Sequence, residues 1–161
     1  VRPRYATFVC SPWHAAANIS WTIAGACILL GTVLTVPALP RDRVGRGAAW
    51  LRGGAGVGLM IVGLFPDDVA LGPHVLGALL LLVGGNVGLI LLGVALRRNN
   101  QWPRLGSIAV IVGIVGVVTA PLMPATDHLE VSGLFERISG YPMIASFAVL
   151  GCLMIRRAPS R

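Results

Sequence analysis

The chain has 161 residues, of which 55% are apolar and 21 are glycine, while only 12% are Asp, Glu, Lys or Arg. A soluble domain is about a quarter charged, so too little charge is present to coat a water-facing surface, and a typical soluble domain is excluded. The net charge of +7 comes from 13 basic residues, all arginine, and their placement argues for orientation in a membrane rather than for nucleic-acid binding.

Crossing about 30 Å of hydrocarbon takes about 20 residues of helix, and five stretches qualify. The first predicted span, 15–39, is free of formal charge and ends at Pro37 and Pro40. The second, 48–66, carries Arg52 one turn in from its start and closes at Pro66; this side chain is expected to snorkel to the headgroups. The third, 73–96, opens on Gly72-Pro73, with proline in the first helical turn, and ends at Arg97-Arg98. The fourth, 105–123, is nearly all Ile, Val, Gly and Ala and stops among Pro121 and Pro124. The fifth, 132–155, takes Ser132 as its N-cap and is expected to kink at Pro142. No ten-residue alternating strands occur, so the fold class is all-α: a polytopic transmembrane helical bundle of five spans in one domain, 1–161.

The connections test this count. Segment 40–52 holds four arginines against Asp42, segment 97–104 holds three and no acid, and the tail holds Arg156, Arg157 and Arg161. The intervening loops hold Asp67 and Asp68, then Asp127, Glu130 and Glu136 against Arg137. Ten of 13 arginines thus fall on one side and five of six acids on the other. Positive charge marks the cytoplasmic face, which places the C-terminus in the cytoplasm and the chain in the cytoplasmic membrane. Arg2 and Arg4 then lie outside, and a sixth helix upstream would restore the pattern. Three scattered cysteines predict no disulfide.

Gly63-Leu64-Phe65-Pro66-Asp67-Asp68, followed by His74 at the head of the third span, resembles the bacterial membrane family called domain of unknown function 998. Ser11-Pro12 with Asn18 and Gly25, and Gly133-Leu134-Phe135-Glu136-Arg137-Ile138 before the last span, resemble it as well. The resemblance implies six helices, the first missing from this chain, and no activity.

All three histidines, His14, His74 and His128, fall on the outer side by this topology, together with five carboxylates. Imidazole and carboxylate are what a zinc site uses, so these histidines are the candidate metal ligands and zinc the candidate cofactor. The spacing matches no recognised metal signature, and the plainer reading is that outer loops are polar because they touch water. Candidate catalytic groups are Asp67, Asp68 and Glu136; candidate ligand-binding groups are His74, Arg137 and Asn86. Set against these roles, Asp67 or Asp68 would cap the third span with His74 anchoring it, Glu136-Arg137 would be an ion pair, and mid-span Asn86 would face protein through an interhelical hydrogen bond. Gly54 with Gly58 and Gly84 with Gly88 would allow close helix approach and a possible homo-oligomer.

The leading functional expectation is a non-enzymatic membrane protein that binds a lipid or small molecule at a polar outer cap, or serves as an accessory protein. Its partner is the bilayer rather than nucleic acid. The alternatives are a membrane-embedded, metal-dependent hydrolase acting on lipid-like substrates from the outer leaflet, and a small transporter, for which the spans offer few polar groups.

Overall fold

Prolines and short polar turns divide the chain into five helical crossings, seen in a computed structural model that describes residues 12–126 and 131–157. The first is α1 (His14–Thr35), prolonged by a 3-10 turn at Val36–Ala38. The second is α2 (Arg43–Leu64). The third joins α3 (Leu71–Ala78), a π-helical segment Leu79–Gly84, and α4 (Gly85–Arg98). The fourth is α5 (Pro103–Thr119), followed by the single-turn α6 (Leu122–Ala125), and the fifth is α7 (Ser132–Arg157). Five runs, His14–Ala38, Arg43–Leu64, Leu71–Arg98, Pro103–Ala125 and Gly133–Arg156, are long and apolar enough to cross a membrane. No strand occurs among the described residues, and the fold is the all-helical bundle that the sequence predicts.

The second helix begins five residues earlier than predicted, and the reason is a cap. Asp42 holds an extended backbone and its carboxylate accepts the Gly45 N–H at 2.7 Å, starting the helix at Arg43. Arg43 and Arg46, which read as loop, are therefore helical. Arg52 moves from one turn inside the helix to near the middle of its 22 residues. It is 2% exposed, so the expectation that it snorkels to the headgroups is overturned.

Successive crossings run antiparallel and touch through paired glycines. Side-chain carbons added at Gly25 and Gly56 would stand 2.6 and 2.9 Å from each other's carbonyl oxygens, joining α1 to α2. Gly58 and Gly77 do the same between α2 and α3 at 2.5 and 2.7 Å, and Gly93 and Gly106 between α4 and α5 at 2.5 and 2.6 Å. Small residues let backbones approach this closely where lipid supplies no hydrophobic drive. Of the glycines singled out by spacing, Gly58 is packed in this way and Gly88 lies against Leu51 and Arg52 of α2, whereas Gly54 has open space beside it and Gly84 only an ordinary contact.

The turn from α4 to α5 is closed by Asn100 at φ 49°, with Gln101 N–H donating to the Leu96 carbonyl at 3.0 Å and Asn100 N–H to that of Arg97 at 3.1 Å. This is a Schellman closure with asparagine in the left-handed position. Helix α7 runs through Pro142, which has no N–H to offer the Ile138 carbonyl. α1 packs along α2 and meets α7 only sparingly, so the first and last crossings stand partly apart.

Candidate functional site

Among the described residues three polar side chains lie fully inside the bundle, Arg52, Asn86 and Ser139, and the first two reach α7, which carries the third. The first is Arg52, on the α2 face formed by Gly45, Ala48, Ala55, Gly56 and Leu59, all buried. Only small residues leave room for it: a side-chain carbon at Gly88 of α4 would come within 3.0 Å of Arg52 Cγ. Arg52 Nη1 donates to Ser146 Oγ at 3.0 Å. Ser146 can accept because its own hydroxyl proton goes to the Met143 carbonyl at 2.6 Å. Arg52 Cζ lies 3.7 Å from the centroid of the Phe147 ring, close enough for a cation–π contact. Nη2 is buried without a hydrogen-bond partner.

The second is Asn86, 0% exposed at the start of α4, just past the π-helical segment. Its Nδ2 donates to the Leu82 carbonyl at 2.7 Å and to the Ser139 carbonyl and hydroxyl at 3.0 and 3.3 Å. Ser139 Oγ in turn donates to the Gly116 carbonyl at 3.0 Å, so the node ties α4, α5 and α7 together. Gly116 lies against the Asn86 amide, where any side-chain carbon would overlap it. Asn86 Oδ1 has no partner.

Between α1 and α7 lies a cleft of about 360 Å³, walled by Ala24, Cys27, Ile28, Gly31 and Thr35 on one side and Ile144, Phe147, Ala148, Leu150 and Gly151 on the other. Its hollow follows from two glycines: a side-chain carbon at Gly31 or Gly151 would meet nothing within 4 Å. Thr35 is turned away from ligand chemistry, its hydroxyl donating to the Gly31 carbonyl at 2.7 Å. Phe147 is common to the cleft and to the arginine site. A smaller cavity of about 50 Å³ adjoins Trp21, Glu136 and Tyr141.

The residues predicted from sequence are distributed differently. His74 is half-buried, and its Nδ1–H donates to the Phe65 carbonyl at 3.0 Å, which ties the end of α2 to the start of α3. Asp67 and Asp68 are exposed in the intervening turn. The N-cap position of the third crossing is Ala70, so neither aspartate stands at the cap position expected for it. Glu136 and Arg137 are exposed, and Arg137 Nη1 donates to the Gly133 carbonyl at 2.8 Å. His14 is exposed at the first turn of α1. Among the described residues no three or more His, Cys, Asp or Glu assemble into a metal-holding group; His128, with Asp127 and Glu130, lies outside the described residues. Of the predicted residues that the structure describes, Asn86 alone belongs to the buried polar set.

Arg52, Ser139, Ser146 and Phe147 were absent from the predicted site. The signal for Arg52 is its spacing: Ala48, Ala55, Gly56 and Leu59 stand four before and three, four and seven after it, a stripe that must face protein. The two serines carry no such mark.

Residues 7–153 match the family described as "Protein of unknown function (DUF998)". No curated protein and no solved structure matches the chain.

Proposed function

We propose, for a chain that belongs to the DUF998 family of proteins of unknown function, that it is a non-enzymatic membrane protein whose α1/α7 cleft binds the chain of a lipid-like amphiphile. The observation that carries this reading is the cleft itself, about 360 Å³ of mostly apolar wall between two membrane-crossing helices. That volume falls within the roughly 300–1,000 Å³ of small-molecule sites. It is far below that of a further helix, about 10 Å across and 30 Å long, which disfavours a protein occupant. At this depth the surrounding medium is acyl chain, so a ligand entering sideways is itself amphiphilic. This moves the binding surface from the polar cap to the interior of the bilayer. The charge asymmetry of the two ends supports an orientation with the arginine-bearing end in the cytoplasm.

The test is native mass spectrometry of full-length protein released from lipid nanodiscs, compared with a Gly31→Leu, Gly151→Leu variant that fills the cleft. Wild-type protein is expected to retain one amphiphile that the variant loses while its helicity and thermal midpoint stay unchanged. An identical adduct pattern in both proteins would sink the reading.

A further inference from the structure

We infer that Arg52 is an anion-recognition residue: its guanidinium takes the oxyanion head, carboxylate or phosphate, of a single-chain amphiphile whose tail lies in the α1/α7 cleft. This rests on the proposed binding role of the cleft and adds the chemical class of the ligand.

The first support is the arginine's company. At 2% exposure it is shielded from water and lipid alike, yet its partners are one hydroxyl and one aromatic ring, both neutral. A full positive charge in such a place is costly unless a counter-charge joins it. Asn86 also keeps one unpartnered atom, its acceptor Oδ1, but the same bundle surrounds its amide donor with three acceptors. Arg52 has the opposite treatment, since one arm of the guanidinium is held by Ser146 and Nη2 is left open. A fork fixed on one side and free on the other suits two-pronged capture of a planar oxyanion.

The second support is the position of Phe147, which walls the cleft and covers the guanidinium at 3.7 Å. One ring therefore separates the cation from the cleft, and a rotamer change there would join them. Gly53, next to Arg52, lies against Leu29 and Thr32 of α1, and Arg52 itself reaches Ser146 and Phe147 of α7, which sets the cation beside the middle of the cleft. The lining is apolar apart from Cys27 and Thr35, so a free inorganic anion has no polar route along it, and the anion arrives attached to a chain.

The experiment measures binding of oleate, oleyl phosphate and oleyl alcohol to the full-length protein in nanodiscs of neutral lipid. Acetate and inorganic phosphate serve as free-anion competitors. The two anionic amphiphiles are expected to bind about tenfold or more tighter than the alcohol, as charge-assisted hydrogen bonds to a desolvated guanidinium require. Neither free anion is expected to compete. Arg52→Gln is expected to lower the anionic ligands to the affinity of the alcohol, leaving the alcohol unchanged. Because removing the cation can disturb folding, the head-group comparison on wild-type protein decides alone. Equal affinity for oleate and oleyl alcohol overturns the assignment of Arg52 while leaving the cleft reading intact. Competition by acetate or phosphate overturns the amphiphile and makes Arg52 a free-anion site. Undiminished binding of all three chains after Gly31→Leu with Gly151→Leu overturns the cleft reading on which the inference rests.

Discussion

Asn86 and Arg52 are the two largest polar side chains inside the bundle, and the sequence treats them unequally. Asn86 lies mid-span with apolar residues on both sides, so facing it toward protein follows from the cost of leaving an amide in lipid. Its actual partners, the Ser139 carbonyl and hydroxyl on α7, do not follow, because serine is small enough to sit anywhere on a helix. Replacing Asn86 by Ala is expected to destabilise the bundle by about 1–2 kcal/mol, the upper range for intramembrane hydrogen bonds. Gly116→Ala is expected to do so as well, by crowding the amide it lies against. Chemical unfolding in detergent measures both, and wild-type stability in both variants would remove Asn86 from the packing of the bundle. The depth of Arg52 is not legible in the sequence because it depends on where α2 begins, and a helix start containing Arg43, Gly45, Arg46 and Gly47 resembles a loop by composition. The Asp42 cap outweighs that composition once the helix has α1 and α4 to pack against.

Among the elements, all five crossings are legible, since uninterrupted apolar runs of this length have no other stable form in a bilayer. What spacing could not assign is which glycines do the packing. Gly54 is marked as an interface residue by its spacing to Gly58, yet it has open space beside it, while a side-chain carbon at Gly93, which no such spacing marks, would fall 2.5 Å from the Gly106 carbonyl oxygen. The two are therefore expected to respond oppositely to alanine. Gly93→Ala should cost about 1–3 kcal/mol through forced separation of α4 and α5, whereas Gly54→Ala should be neutral or gain up to about 1 kcal/mol from helix propensity. Thermal midpoints of the two variants in one detergent settle the contrast; a loss at Gly54 matching that at Gly93 would contradict the assigned interfaces. The π-helical segment Leu79–Gly84 was not legible either, because a run of leucines ending in two glycines fits an ordinary α-helix equally well.

For the whole molecule, alternation of charge between the two ends supports the five-crossing count independently of hydropathy. The loops carry the histidines and most carboxylates that drew attention in the sequence, but the described ones stand in turns and first helical turns rather than around a common centre. The cleft was invisible to sequence because it arises from an arrangement: α1 leans on α2 and leaves α7, and only then do Gly31 and Gly151 become a hollow rather than two ordinary membrane glycines. The exposed side of α5 supplies the control, since Ile108, Ile111 and Ile114 are 58%, 63% and 50% exposed and line neither the cleft nor the smaller cavity. The most direct measurement is photo-crosslinking of the full-length protein in a bilayer with a fatty acid carrying a photoreactive tail, followed by mapping of the adducts. The account predicts adducts concentrated on residues 24–35 and 144–151, in excess of those on Ile108, Ile111 and Ile114 and removed by filling the cleft at Gly31 and Gly151. Adducts spread evenly over all lipid-exposed helix faces, unchanged by that filling, would contradict it.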